Sequence, residues 1–462
     1  MSGSTTSQGF AYQRDQFQQI IEDTLDIAVA QGASDAAAEV SEGAGLSVSV
    51  RKGEIENVER NRDKSLGVTV YLGQRRGNAS TSDFSRSAIE QTVRAAYDIA
   101  RFTAEDPAAG LPDAEDLVTP DVAGIDLDLF HPWAVDADAA AALARRCEDA
   151  AFATSRLISN SEGGGTSAQQ SHFWAGNSRG FRGGYASSRH SISVAPIATM
   201  RTGKSQPDMQ RDAWYSSERN ALDLASPEAV GRYAAERALS RLKGRKVATC
   251  EVPVLFENTL AAGLLGSLVG AISGGALYRR ATFLLDCIGT PVLAGHLDVD
   301  EDPLQRAGKA SAAFDDEGVR TRARRVVDGG VVQGYFLSSY SARKLGLKTT
   351  GHAGGSHNLS LSSRLTRPGD HLDEMLRKLG RGLFVTELMG QGVNGVTGDY
   401  SRGAAGYWVE GGRIVHPVHE VTIAGNLKDM LRGIVALGAD RYVSGGKTVG
   451  SMLIDRLKVA GS

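Results

Sequence analysis

The residues able to do chemistry are spread along the chain, and none completes a catalytic signature. Gly176, Asn177, Ser178, Arg179 and Gly180 spell the G-x-S-x-G string with which an α/β-hydrolase presents a nucleophilic serine between a strand and a helix. The following residues, Phe181 to Ile192, are glycine-broken and strand-like, so the string reads as a hairpin turn. Gly390, Gly392 and Gly395 match G-x-G-x-x-G after the apolar run Leu383 to Leu388, but Val396 to Gly406 holds too much Gly and Ser to open the helix a dinucleotide needs. Gly446, Lys447 and Thr448 look like the end of a phosphate loop, yet Arg441 stands where its first glycine belongs.

Histidine offers metal chemistry at two places: His352 with His357, and His416 with His419 beside Glu420. His416 and His419 fall in a strand-like stretch where residues three apart point to opposite faces, so they cannot share an ion. His352 and His357 lie in a Gly-Ser loop, and a metal site there stays open beside plain loop hydrogen bonding. Arg320, Arg322 and Arg324 alternate along a strand-like run, with Arg325 adjacent, and could meet phosphates. The acidic run Asp315, Asp316, Glu317 before them and the lack of interleaved aromatic residues argue for a solvated face instead.

The elements around these residues indicate an α+β fold. Phe17, Ile20, Ile21, Leu25 and Ala28 recur at helical spacing and stop at Gly32. Leu46, Val48, Val50 and Leu66, Val68, Val70, Leu72 alternate as an antiparallel pair. Ser87 and Glu90 have capping-box spacing before the stripe Ile89, Val93, Tyr97, Ala100. Four prolines between residues 103 and 135, Pro107, Pro112, Pro120 and Pro132, make a surface connection. An alanine-rich helix to about Ala153, a meander from Arg156 to Trp214 and a helix from Pro227 to near Lys243 follow. The second half opens on the strand Val252, Val254, Phe256 and a glycine-rich helix, then hairpins such as the turn at Asp328, Gly329, Gly330. Helices and strands come in blocks, which favours α+β over a doubly wound sheet. The division expected is a flexible tail over residues 1–12, an N-terminal helix and strand domain over 13–225, and a largely antiparallel β domain with a buried Gly-rich helix over 226–462.

Composition narrows the classes. The chain has 462 residues, enough for two domains, with 41% hydrophobic and 23% charged residues and a net charge of −3, so nothing pulls it toward nucleic acid or anionic lipid. No stretch reaches the ~20 apolar residues of a membrane span, and the N-terminus lacks a signal peptide's basic start and apolar core. Cys147, Cys250 and Cys287 are odd in number and far apart. A cytoplasmic chain without disulfides is expected.

Several strings together are familiar: GASDAAAEVSEGAGLSVSVRKGEIENVERNRDKSLGVTVY, GALYRRATFLLD, YSARKLGLKTTGHAGG, VTELMGQG, and TGDYSRGAAGYWVE followed by EVTIAGNLKDM. From about Ile20 to the C-terminus the chain resembles the PmbA/TldE family, whose members are sometimes called modulators of DNA gyrase. The resemblance implies a relation to TldD, a zinc metallopeptidase whose helix carries H-E-x-x-x-H, with a later cysteine as a further ligand. In this chain the matching helix reads LLGSLVGAISGG, which puts Gly266, Ser267 and Ala271 at the two histidines and the glutamate between them, and Val443 to Val459 contains no cysteine. None of these can bind zinc or take a proton at neutral pH. The implied role is the non-catalytic subunit of a TldD/TldE-type heterodimeric protease that degrades or processes unfolded or modified peptides. It needs no cofactor of its own, its zinc lies in the TldD-type partner, and its other partners are peptide substrates. Tyr400, Ser401, Arg402 and Tyr407 in YSRGAAGY are the candidate peptide or partner contacts, against a tight β-turn with core tyrosines. The alternatives are a metallopeptidase with its own metal at His352 and His357, and a gyrase-modulating or nucleic-acid-associated regulator, for which no direct contact with gyrase or nucleic acid and no membrane contact is expected.

Overall fold

The structure, a computed structural model, describes residues 9–201 and 206–461. The first eight residues of the expected tail lie outside the described residues. The chain forms two compact units, one of Met1–Leu239 with Ala313–Arg320, the other of Ser240–Ala312 with Thr321–Ser462.

The first unit follows from alternation along very long strands. Helix α1 (Arg14–Ala30) leads into β1 (Asp35–Arg51), β2 (Glu54–Leu72) and β3 (Arg75–Thr81), then α2 (Arg86–Phe102), α3 (Ala137–Thr154), β4 (Ile158–Asn177), β5 (Ala186–Met200), β6 (Asp208–Arg211), β7 (Trp214–Glu218) and α4 (Pro227–Ser240). The antiparallel sheet runs β3-β2-β1-β4-β5-β6, with β7 also on β5. Ala36, Ala38 and Val40 share one face of β1 with Leu46, Val48 and Val50. The first three pack with Phe17, Ile21, Val93 and Ala96 of α1 and α2, the last three with Ala140, Ala141 and Ala144 of α3. Glu42 falls on that same face and is buried; its carboxylate accepts hydrogen bonds from the backbone N–H of Ala11 (2.8 Å) and Tyr12 (3.1 Å). The end of the expected tail is therefore tied to the sheet.

Three local expectations shift. α2 is capped by Ser85, whose Oγ accepts from Ala88 N at 3.4 Å; Ser87 lies inside the helix and Glu90 pairs with Arg86. The proline-rich connection is irregular apart from short helical turns at Ala114–Asp116 and Pro120–Ala123, and it does not stay on the surface, since Leu111, Val118, Leu127 and Leu129 are buried. Helix α4, which the sequence reading assigns to the second domain, belongs to the first unit: Val230 and Ala234 pack with Cys147, Ile192 and Val194. The segment Ala313–Arg320 also joins this unit, with the Phe314 ring 5.1 Å from Phe181 and 5.9 Å from Tyr185.

The second unit is built round a closed barrel. Besides four short helices, its elements are β8 (Cys250–Phe256), α5 (Asn258–Ala271), β9 (Leu297–Asp302), β10 (Arg324–Asp328), β11 (Val331–Val332), β12 (Asn358–Ser363), β13 (Gly382–Met389), β14 (Asp399–Glu410), β15 (Arg413–Asn426), β16 (Ile434–Leu437), β17 (Tyr442–Ser444), β18 (Lys447–Val449) and β19 (Met452–Ala460). One sheet runs β15-β14-β13-β8-β19-β16, and pairing of β15 with β19 closes five of its strands into a ring, leaving short β16 as the edge. The other runs β11-β10-β9-β12-β18-β17. The turn at Asp328, Gly329, Gly330 forms as expected, with Val327 opposite Val332. Pairing is antiparallel except for β8 with β13 and β12 with β18. The architecture is α+β throughout.

Candidate functional site

Composition makes helix α5 bare on one side. Ala261, Leu264, Leu265, Leu268 and Ala271 are buried in the core that includes Val254 and Phe256 of the barrel. Gly263, Gly266, Ser267 and Gly270 recur every three or four residues and so form a separate stripe. A Cβ added at Gly263 or Gly270 would meet nothing within 4 Å, and at Gly266 only Lys447 Cε at 3.7 Å. The Gly-rich helix is thus buried on its leucine side only, and a cleft of about 430 Å³ opens over the rest.

Gly266 and Ser267 line this cleft, while Ala271 is buried in the core and is not part of the lining. Tyr400 and Arg402 of β14 line it as well, so the structure brings together two groups of residues that the sequence singles out for separate reasons. Ser267 Oγ donates to Gly263 O at 3.1 Å, inside the helix. Tyr400 is 3% exposed, and its hydroxyl has no hydrogen-bond partner; the buried Nε of Arg402 has none either. Burial pushes the Tyr400 phenol up to about 12 against the charge and the hydrogen-bonding pull of the adjacent Arg402 guanidinium, so the hydroxyl stays neutral. YSRGAAGY is the middle of a strand, not a turn. Ser401 is exposed, its N–H donating to Gly392 O at 2.6 Å, and Tyr407 stacks 6.0 Å from Phe384 in a different cluster.

Zinc needs imidazole, thiolate or carboxylate donors. The cleft has no His, Cys, Asp or Glu in its lining, and its charged groups are Arg402 and Lys447. Its residues do not fit the metal.

A second buried group lies elsewhere in this unit. Among the described residues, Glu301, His352 and His357 are the one set of three whose ligand atoms all lie within 4.8 Å of each other. Every one of those side chains already has a partner. Glu301 Oε1 accepts from His357 N at 2.8 Å, Oε2 accepts from Arg324 Nε at 2.8 Å, and His352 Nε2 sits 3.0 Å from Oε2. His352 Nδ1 lies 2.9 Å from Thr350 Oγ1, and His357 Nε2 is 3.1 Å from Gly351 O. Burial opposes ionisation of Glu301, yet His352 and then Arg324 hold its carboxyl at about 2. Burial pushes the His352 imidazole below its usual value although Glu301 pulls it up. A divalent ion here would have to displace a guanidinium.

The remaining motifs resolve simply. Ser178 sits in a turn after β4, its Oγ donating to Asp35 (3.0 Å) and accepting from Ala36 N (3.0 Å). Strand β14 follows the glycines 390 to 395. The arginine stripe is not a strand face: only Arg324 and Arg325 lie in β10, Arg324 turns to Glu301, and Arg325 pairs with Asp300 at 2.8 Å. His416 and His419 join no group of metal ligands among the described residues. Sequence reasoning missed Glu301 and dismissed Lys447. The signal for Glu301 was its place with Leu297 and Val299 on the buried parity of β9. Lys447 had none, because it comes to the helix from about 180 residues away.

Comparison with known proteins covers almost the whole chain. Three family models match: the PmbA/TldA metallopeptidase domain 1 over residues 36–100, the central domain over 130–242 and the C-terminal domain over 249–461. The metalloprotease PmbA of Escherichia coli O157:H7 is 49% identical over 445 residues, 96% of each chain, and the PmbA homolog of Haemophilus influenzae is 44% identical over 450, 97% of each. Among solved structures, a protein from Bacteroides thetaiotaomicron described as a modulator of DNA gyrase superposes with TM-score 0.89 at 24% identity, covering 97% of this chain and 99% of its own. TldE from Thermococcus kodakarensis does so with TM-score 0.79 at 18% identity, covering 95% and 99%. With matched domains from residue 36 to residue 461 and relatives this similar end to end, the chain belongs to the PmbA/TldD metallopeptidase family.

Proposed function

We propose that this chain is the non-catalytic subunit of a TldD/TldE-type zinc metallopeptidase complex that degrades or processes unfolded or modified peptides, with the zinc and the hydrolysis supplied by a TldD-type partner. The observation that supports it is the donor set of the α5 cleft, which holds two cationic side chains and no metal ligand. Under this reading Gly266, Ser267 and Ala271 occupy the positions where a catalytic relative carries its zinc histidines and glutamate. The likeness in fold to a protein named TldE agrees with it. A cytoplasmic site of action is part of the same proposal; no helix of the described residues is long and apolar enough to cross a membrane.

Metal analysis and peptidase assays on the chain alone, on a TldD-type partner alone and on both together test the proposal. The expected result is zinc in the partner only and full cleavage only in the mixture. One zinc per molecule with cleavage by this chain alone overturns it.

A second reading, a metallopeptidase with its own ion, draws on the closeness of Glu301, His352 and His357. It predicts that His352→Ala abolishes both metal binding and cleavage by the isolated chain. The Arg324 ion pair at the same carboxylate weighs against it.

A further inference from the structure

The α5 cleft contains features that a merely vacated site does not require. Two hydrogen-bond donors two residues apart on one face of β14, the Tyr400 hydroxyl and the Arg402 Nε, are buried in the cleft wall and unpartnered. Buried polar groups are almost always satisfied, and an orphan at a cavity wall marks a missing acceptor. A third donor, the Lys447 ammonium, comes from β18, its chain passing the glycine face so that a Cβ at Gly266 would lie in ordinary contact with Lys447 Cε at 3.7 Å. The charged residues lining this space are both cationic, Arg402 and Lys447. An acceptor bearing negative charge satisfies all three, and charge-assisted bonds to it are about twice as strong as neutral ones.

The walls narrow the ligand further. Leu260, Leu264, Leu388 and Val393 line the same cleft, so a bare inorganic anion would leave apolar surface uncovered. Ser444, also in the lining, ends β17, the edge strand of the six-stranded sheet. An extended peptide can add to such an edge through its backbone and deliver its end to the cleft. We propose that the cleft is a carboxylate subsite that holds the free C-terminus of a peptide, with Lys447, Arg402 and Tyr400 on the carboxylate and the leucines on the terminal side chain. The subsite rests on the reading of the chain as a peptide-handling subunit.

Calorimetric titration of the full chain, alone and with a TldD-type partner, decides the matter. The probes are N-acetyl-trileucine as the free acid, the same peptide as its C-terminal amide, acetate, and inorganic phosphate. The free acid should bind about tenfold or more tighter than the amide and both small anions, and Lys447→Met and Arg402→Met should each cost about tenfold for the acid while leaving amide binding unchanged. Tyr400→Phe, which keeps the packing, should weaken the acid by less, severalfold, and serves if either cation variant lowers the thermal midpoint. Equal affinity for acid and amide, acetate or phosphate binding as tightly as the acid, or well-folded variants that bind undiminished would each overturn the subsite. Loss of acid–amide discrimination while the assembled pair still cleaves with the partner's zinc rejects the subsite alone. Zinc-dependent cleavage by the isolated chain rejects the reading beneath it.

Discussion

The two buried polar groups of the second unit differ in how completely they are satisfied. At Glu301, both carboxylate oxygens have donors and the Arg324 charge is matched at 2.8 Å. At Tyr400 and Arg402, the hydroxyl and the Nε lie buried in a cleft wall without an acceptor. A satisfied network rigidifies a core, whereas an unsatisfied one costs stability until something binds. Resemblance to a metal site is therefore a poor guide to unmet hydrogen-bonding capacity here: the group with the better ligand set has its bonds made, and the group without ligands does not.

The largest effect that would break this contrast is at Glu301. Its replacement by Ala leaves the half-buried Arg324 guanidinium, the His352 ring and the His357 backbone N–H without their acceptor, and should lower unfolding free energy by about 3–5 kcal/mol, read from denaturant midpoints at constant slope. A change under about 1 kcal/mol would show that the network does not hold the unit together.

Acid should act through the same residue. The folded carboxyl at about 2 lies below its ordinary 4.5, so its contribution is present above about pH 4.5 and lost as pH falls toward 2. At about 1.4 kcal/mol per pH unit that is on the order of 3 kcal/mol. His352, also depressed, acts in the same sense from its ordinary 6.5 downward. Stability of the native chain should drop between pH 6.5 and 3, and the Glu301→Gln variant should show a flatter profile; identical profiles would remove the assignment.

The cleft side of the comparison predicts small gains. Gly263→Ala and Gly270→Ala add a methyl to open space on a helix, and each should raise stability by about 0.5–1 kcal/mol through helix propensity. Destabilisation of similar size would mean that the stripe is packed. The smallest effect belongs to Tyr400→Phe, which removes a hydroxyl that bonds to nothing and should change unfolding free energy by less than about 1 kcal/mol without ligand. A loss above about 2 kcal/mol would reveal a partner for that hydroxyl and erase the contrast with Glu301.

Much of the fold was legible because it depends on short periods. The alternation of Leu46, Val48 and Val50 and the helical spacing of Phe17, Ile21 and Leu25 report directly which face is buried, and both hold. The turn at Asp328 to Gly330 carries its own chemistry and also holds. The Ser87 cap failed because Ser85 offers the same hydroxyl two residues earlier with extended backbone. YSRGAAGY failed as a turn because its glycines sit where neighbouring strands press on the backbone: a Cβ at Gly406 would fall 1.9 Å from Phe384 O.

The sequence by itself determined that this is an α+β chain of two parts, that its one apolar glycine-striped helix has no donor for a metal, and which family its strings resemble. These follow from residue type and near-neighbour spacing, which folding does not alter. Only the tertiary structure decided that Lys447 reaches Gly266, that Tyr400 and Arg402 face the same space, that Arg324 claims Glu301, and that residues 313–320 complete the first unit. The physical reason is that each joins residues tens to nearly two hundred positions apart, and barrel closure and strand register, not local propensity, set which distant side chains meet.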